Sequence, residues 1–527
     1  MLTDARRIPA GSRLRADFCI VGAGAAGLSL ALALEQASQE VLILEAGGQS
    51  FDPADQEAAG GTSETAMQLD PEDYPFQQTR IRGLGGTTQR WSGACLALDA
   101  GDFSERPWLD GSGWPFSREA LQPHYREAAA MLGLPPPGGL SDPLAHPLSD
   151  GALQLRPVLI PPILDLGRRH RPRLRRSRRI TVVTHAPVQE LLADPEQRCI
   201  ESLRVVGRGQ AGFVVEARTV VLAAGAIENT RLLLVSRGRD PRGIGNRHDL
   251  VGRHVMEHDY RPVALLGVGS GWPILRTLLT CRPLAGGAGG RTMAMTTLGL
   301  DDRIREQEGL LNLHLRGFRY HPLEADPAVV ALKEGIRRRS LNGAAAVLEG
   351  LARRGPRLAS YGLWHGWGKL RPGSPCHWIR LMGWREQEPQ AHNRITLSRQ
   401  RDSLGFPLAH LQLRFSPRMQ DNLERSLALL EQELRGHGCG PLRRGPEALQ
   451  HLSGYAKVGC HAMGGTRMHA DPRRGVVDAD GRVHGLANLY IAGGSLFPTG
   501  GAANPTLTLV ALALRLARHL QARRAGG

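Results

Sequence analysis

Three glycines at Gly22, Gly24 and Gly27, in the run GAGAAG, and an acid at Glu45, 23 residues after the first of them, form a constellation suited to binding. The first glycine makes a turn, the second admits a pyrophosphate against bare backbone, and the third lets helix and strand pack closely, with the anion at the helix N-terminus. An acid at the end of the following strand can accept hydrogen bonds from a ribose hydroxyl. Near the other end of the chain, His461, His469 and His484 offer the side chain whose titration range suits a general base. Residue type alone does not choose among the three. The seven cysteines are far apart and form no CxxC pair, so neither a metal site nor a disulfide framework is expected.

Positioning such a constellation requires a strand, a helix and a second strand in quick succession. The hydrophobic pattern predicts a buried strand over residues 17–21, an alanine- and leucine-rich helix over 28–36 and a strand over 41–44 that ends at Glu45. Strand patterns return at ITVVTHAPVQELL, ESLRVV and TVVLAAGAIENTRLLL, and the last 70 residues read as strand, glycine turn and long helix. Between these lie residues 99–179, rich in proline, arginine and glycine, and residues 261–454, with mixed helix and strand signals and Trp364, Trp367, Trp378 and Trp384 clustered. The expected class is α/β (α+β overall). A Rossmann-like domain is built from discontinuous segments 14–98, 180–260 and 455–525, and a substrate domain with an antiparallel sheet and helices from 99–179 and 261–454.

With 527 residues, 41% of them hydrophobic, the chain has ample material for a core, and 65 glycines suit a ligand that runs against backbone. The formal net charge of +16 would ordinarily raise nucleic acid as a partner. That class is set aside because 63 of the 66 basic residues are arginines scattered along the chain. One dense run, Arg168, Arg169, Arg171, Arg173, Arg175, Arg176, Arg178 and Arg179, reads either as a solvated helix face or as a dock for an acidic partner or membrane surface. Arg6 and Arg7 precede Ile8-Pro9-Ala10-Gly11-Ser12 instead of an apolar segment, so no signal peptide is expected. With no uncharged apolar run of spanning length, the expected location is the cytoplasm, with peripheral membrane attachment as a variant.

NAD and FAD share the glycine fingerprint. Two further segments favour FAD: Arg82-Gly83-Leu84-Gly85-Gly86-Thr87-Thr88, suited to a second backbone approach along a long ligand, and Thr219–Ala226, a strand followed by a small-residue turn. RGLGGTTQRWSG, VVLAAGAIENTRLLL, and HAMGGTRM followed by GVVDADGRVHGLANLYIAGGSLFPTGGAANPTLTLVALAL resemble the glucose–methanol–choline oxidoreductases, with the bacterial sugar- and polyol-dehydrogenase branch nearest in flavour. The resemblance covers nearly half the chain. It implies FAD contacts from Gly22, Gly24, Ala25, Ala26, Gly27, Glu45 and Ala46, from Arg82, Gly85, Gly86, Thr87, Trp91 and Ser92, and from Val188, Ala224, Gly225, Gly494, Asn504, Pro505 and Thr506. It also places Asn229 or Asn246 near the cofactor or the domain seam. Two departures stand out: Arg90 occupies a position where some members attach flavin covalently through histidine, which implies non-covalent FAD, and Gly493 falls where many carry an aspartate.

The same resemblance assigns catalysis to His461, in the HxxG segment, and to Asn504, 43 residues later and just before Pro505. The chemistry agrees: an imidazole takes the hydroxyl proton of an alcohol while hydride leaves its carbon for flavin N5, and an amide fixes the substrate oxygen. Asn-Pro before a helical run also reads as an N-cap with proline at N1, and the two roles are compatible. Expected partners are an alcohol, sugar or polyol and an electron acceptor (oxygen, quinone or redox protein), with a small subunit as a further candidate. Competing readings are a lyase or light-driven decarboxylase on the same scaffold, or the flavoprotein subunit of a membrane electron-transfer complex. Trp364-His365-Gly366-Trp367 is a candidate sugar platform, weighed against ordinary packing.

Overall fold

The computed structural model describes residues 1–66, 74–135, 151–207, 210–238, 240–287, 290–326, 360–368, 370–371, 376–445, 457–458 and 460–525, with Val329, Gly355 and Leu449 as isolated positions. The apolar runs Phe18–Val21 and Val41–Leu44 are buried on both faces, as parallel strands covered by helices must be. They sit at the centre of the first sheet. Its order is Leu2–Asp4, Ile180–Thr184, Val41–Leu44, Arg13–Val21 and Gln210–Leu222, all parallel, continuing antiparallel through Ile200–Gly207 and Val188–Ala193. Leu489–Ile491 joins in parallel beside the end of Gln210–Leu222. The fingerprint helix Ala25–Gln36 has small or apolar residues nearly all round, and so it lies buried between this sheet and the C-terminal helix Thr506–Ala525.

The second sheet is antiparallel throughout: Cys281–Gly287, Gly290–Leu300, Leu313–Tyr320, Trp378–Arg385 and Asp259–Gly267 in order, with Leu153–Ile160 added to Gly290–Leu300. Leu442–Arg443 and Lys457–Val458 pair with Asp259–Gly267. Leu423, Leu427, Leu430 and Leu434 form the apolar stripe of helix Pro417–Gly436 and pack with Leu298, Leu315 and Leu381. A small third sheet joins Arg394–Arg401, Pro407–Arg414 and Gly61–Ala66.

Segment 99–179 divides between the two halves. Helix Arg118–Leu132 lies on the C-terminal helix, and helix Leu166–Arg176 packs near the fingerprint helix, whereas Leu153–Ile160 belongs to the second sheet. The basic run is partly internal. Arg173 pairs with Glu35 at 2.7 Å, Arg171 donates to the Gln49 carbonyl and Arg179 to that of Ser38. Arg168, Arg175, Arg176 and Arg178 are exposed, so the run is a helix face half used to hold the helix against the first sheet. Among the described residues, no helix is long and apolar enough to cross a membrane.

Candidate active site

The glycine loop forms as its sequence dictates. A Cβ on Gly27 would lie 2.0 Å from the Gly22 carbonyl oxygen, so only glycine lets the helix close on the strand, and Gly22 holds φ +105°. Gly24 caps the helix at φ −78° and faces open space. The second glycine loop lies directly against the first: Gly85 N donates to Ala23 O at 2.9 Å, and a Cβ on Gly86 would touch Gly24 Cα at 2.9 Å. Glu45 joins them. Its buried carboxylate accepts from the N–H groups of Ala23 (2.8 Å), Gly47 (2.9 Å) and Gly83 (2.9 Å), while burial pushes its pKa up. The residue expected as a ribose acceptor is thus first the clamp between two loops, with lone-pair capacity left on Oε2.

These loops open on a cavity of about 710 Å³ whose walls carry nearly every expected cofactor residue, from Gly22 and Glu45 through Arg82, Thr87, Trp91, Ser92 and Val188 to Ala224, Gly225 and Gly494. Ala25, Ala26, Ala46, Gly86, Asn504, Pro505 and Thr506 also line it. Gly27 and Gly85 do not: both are spent on packing, Gly85 with its missing Cβ against Asp165. Asn229 braces the wall from behind, accepting from Ala224 N at 2.8 Å and donating to Ser495 Oγ at 3.2 Å. Asn246 instead ties its own loop, through Val251 N and Arg242 O, away from the cavity. Gly24, Gly225 and Gly493 present bare backbone with no atom where a Cβ would stand. Arg82 lines the cavity without an ion-pair partner among the described residues. Bare backbone, a helix N-terminus and an unpaired guanidinium fit a dinucleotide pyrophosphate.

At the far end the chain crosses itself. An antiparallel bridge between Met256 and Met463 (both N–H···O contacts 2.9 Å) sets His258 opposite His461. Gly464 permits the crossing, since a Cβ there would lie 2.0 Å from His254 O. Cys460, at φ +58°, turns the chain into the site. His461 Nδ1 meets His258 Nδ1 at 2.9 Å, His258 Nε2 meets Gly501 O at 2.9 Å, and Asn504 Nδ2 meets His461 Nε2 at 3.1 Å. A carbonyl only accepts, so His258 carries its proton on Nε2 and offers Nδ1 as acceptor. The proton of His461 must then sit on Nδ1, which leaves Nε2 unprotonated at the cavity wall, where its lone pair accepts from the Asn504 amide. Burial, with the His258 ring second, holds His461 well below the ordinary imidazole range, and burial brings His258 to about 4. Both rings are neutral at neutral pH.

Beneath them lies Glu257, whose Oε1 accepts from the backbone N–H groups of both histidines (2.5 and 3.0 Å) and whose Oε2 accepts from Tyr74 Oη at 2.8 Å. Burial raises its pKa to about 7. The expected N-cap geometry is shifted: Leu509 N bonds to Pro505 O, so the helix ladder begins at Pro505 and Asn504 stands just outside it, its amide committed to His461. His469 and His484 lie elsewhere, His484 donating to the His469 carbonyl at 2.9 Å. Trp364 and Trp367 are also absent from the cavity wall. Trp364 packs on the second core beneath Arg319, and Trp367 is half exposed. The aromatic wall is instead Tyr260 and Trp384, cross-strand partners with ring centroids 4.5 Å apart, together with Trp91. His258, Glu257, Tyr74 and Tyr260 carry no motif that marks them in sequence.

An FAD-binding domain model matches residues 17–254, and a GMC oxidoreductase model matches residues 389–513. Relatives include the fructose dehydrogenase large subunit of Gluconobacter japonicus, 25% identical over 85% of this chain and 82% of that protein. Another is paromamine 6'-oxidase of Streptomyces fradiae, 27% identical over 95% and 90%. An FAD-dependent oxidoreductase structure from Chaetomium thermophilum shares the fold at a TM-score of 0.54, with 16% identity over 97% of this chain and 100% of that one. The chain is an FAD-dependent oxidoreductase. Its C-terminal part, residues 389–513, carries the GMC oxidoreductase domain.

Proposed function

We propose that the chain oxidises the CH–OH group of an alcohol, sugar or polyol, with His461 as base. The observation that carries this reading is the relay Gly501 O···His258···His461, which leaves an unprotonated Nε2 at the cavity beside Asn504. When bound, FAD supplies the two-electron acceptor for the hydride of the substrate carbon. The protein supplies the rest. The substrate hydroxyl takes the place of the Asn504 N–H at His461 Nε2, which accepts the hydroxyl proton, its neutral form held by burial, and the Asn504 Nδ2–H so released donates to the substrate oxygen as the C–O bond gains double-bond character. The N-terminus of helix Thr506–Ala525, whose Pro505 and Thr506 line the cavity, turns its positive end to the same place.

Relatives named as a fructose dehydrogenase large subunit and a paromamine 6'-oxidase support a polyhydroxylated substrate. Electrons pass on to oxygen, a quinone or a redox protein, and a relative named as a large subunit supports a small-subunit partner for that step. FAD is held non-covalently. Arg90 lines the cavity with its guanidinium 4.3 Å from the Phe51 ring centroid and offers no nucleophile for a flavin linkage. The test is anaerobic bleaching of the purified flavoprotein in the dark by sugars, polyols and aliphatic alcohols, repeated with His461→Ala. Dark bleaching that His461→Ala abolishes while retaining FAD supports alcohol oxidation over a lyase or decarboxylase. Wild-type bleaching rates in the variant place the base elsewhere.

A further inference from the structure

Beyond His461, the cavity is closed by the second sheet, and there it holds a guanidinium with no anionic partner among the described residues. Arg316, on strand Leu313–Tyr320, lines the cavity with Tyr260, Met295 and Trp384. Tyr260 lies two residues along from His258, so this wall directly adjoins the base. A guanidinium brings five N–H donors. Those of Arg316 find one poor acceptor, the Met295 sulfur, and the Phe318 ring at 4.9 Å, while the buried Nε–H finds none. No carboxylate lies within ion-pairing distance of it among the described residues.

Apart from Arg82 and Arg90 at the cofactor end, the arginines around the cavity are matched. Arg231 meets Asp402 at 2.7 Å, Arg106 meets Glu386 at 2.6 Å, Arg305 meets Asp102 at 3.2 Å, and Arg80 pairs with Glu228. Among the described residues, only two carboxylates line the cavity: Glu45, clamped at the fingerprint end, and Glu228, already paired with Arg80 and Arg231. The substrate end is therefore net positive, and a buried donor without an acceptor costs free energy until a ligand supplies one. We propose that Arg316 is the substrate anchor and that it selects a polyol bearing a carboxylate, a sugar acid, gripped by the planar fork of the guanidinium against the Tyr260–Trp384 wall. Cationic amino alcohols are disfavoured by the same charge.

The inference rests on alcohol oxidation at His461, and the test separates the two. Holoenzyme is titrated calorimetrically with D-gluconate, D-glucitol and D-glucosamine, and anaerobic flavin reduction is followed with each, for the wild type, Arg316→Met and Arg316→Lys. Gluconate binds and reacts best in the wild type. Arg316→Met lowers the gluconate-over-glucitol ratio of kcat/KM by about ten- to a hundredfold and raises the gluconate Kd in step, the scale of a lost charge-assisted pair. Arg316→Lys restores part of that loss as a point charge. Since methionine removes unsatisfied donors and keeps apolar bulk, Arg316→Met melts no lower than the wild type. Equal binding of gluconate and glucitol by the wild type, or a ratio unmoved by Arg316→Met, overturns the proposal. Arg316-dependent binding of gluconate without any flavin reduction upholds the anchor and refutes the oxidation reading instead.

Discussion

Replacing His258 by phenylalanine keeps the ring in a fully buried site while removing both of its hydrogen bonds. Two groups then lose partners, His461 Nδ1–H and the Gly501 carbonyl. The His461 ring is freed to place its proton on Nε2, facing the substrate, where it cannot act as base. Loss of a partner that orients a functional imidazole reduces activity by about 10- to 100-fold, or ~1.4–2.7 kcal/mol on the barrier. Each orphaned buried group also costs about 1–3 kcal/mol of stability, so the variant should melt measurably lower. His258→Gln supplies an amide with one acceptor and two donors, enough to meet both neighbours, and should recover most of the rate. The assay is stopped-flow flavin bleaching at saturating substrate without oxygen, with FAD occupancy checked for each variant. A His258→Phe enzyme that reduces its flavin at the wild-type rate would refute the relay. So would a His258→Gln enzyme as slow as His258→Phe, because hydrogen-bond polarity would then not be what His258 supplies.

Three further outcomes follow from the same geometry. Glu257, its pKa raised by burial to about 7, favours folding most below its unfolded value of 4.5 and loses that contribution as pH rises through 7. Wild type should therefore lose about 3 kcal/mol relative to Glu257→Gln between pH 4.5 and 8, and parallel denaturation curves across that range would contradict the assignment. Gly24 has an unstrained φ of −78° and open space at its missing Cβ, so Gly24→Val should fold and melt as the wild-type apoprotein does while binding FAD at least ~10-fold more weakly. Full flavin absorbance after dialysis would count against the cradle. Acid precipitation should leave FAD in the supernatant because Arg90 cannot form the linkage, and a yellow pellet would show a covalent bond.

The parts of this site that were legible in sequence are those built locally. GAGAAG, Glu45 and RGLGGTT are short runs whose backbone chemistry is fixed by glycine content and by neighbours a few residues away. His461 and Asn504 were legible through motif resemblance, although the amide of Asn504 turned out to serve His461 and not the helix. What stayed hidden comes from strands of the second sheet, where function depends on register. Tyr260 and Trp384 meet because Asp259–Gly267 and Trp378–Arg385 pair antiparallel, a contact between positions 124 residues apart. Trp364 and Trp367 attracted a sugar-site reading through sequence clustering, yet clustering along a chain says nothing about which face of which element meets a cavity. Glu45 shows the opposite limit. The sequence placed it at the strand end beside the glycine loop, but its three main-chain partners were invisible before folding.

The polarity of the base is set farther away than its immediate neighbours. His258 can fix the His461 tautomer only if the Gly501 carbonyl holds still, and that carbonyl sits in a loop pinned to the seam between the two halves. Gly501, at φ +53°, has no room for a Cβ, which would lie 2.4 Å from Asp102 Oδ2. Two residues before it, Thr499 donates to the Asp102 carbonyl at 2.8 Å and accepts from Trp114 Nε1 at 3.0 Å. Asp102 is itself held by Arg305 at 3.2 Å and by Asn312 Nδ2 at 2.9 Å, both from the second-sheet side. The chain of contacts therefore runs from an ion-paired seam through a glycine turn and two imidazoles to one lone pair. Every link in it before His461 is buried, so a displaced seam residue is felt as a rotated carbonyl rather than absorbed by solvent. The two halves need no shared residue at the flavin to depend on each other, because the second sheet sets the proton position on a histidine carried by the C-terminal segment.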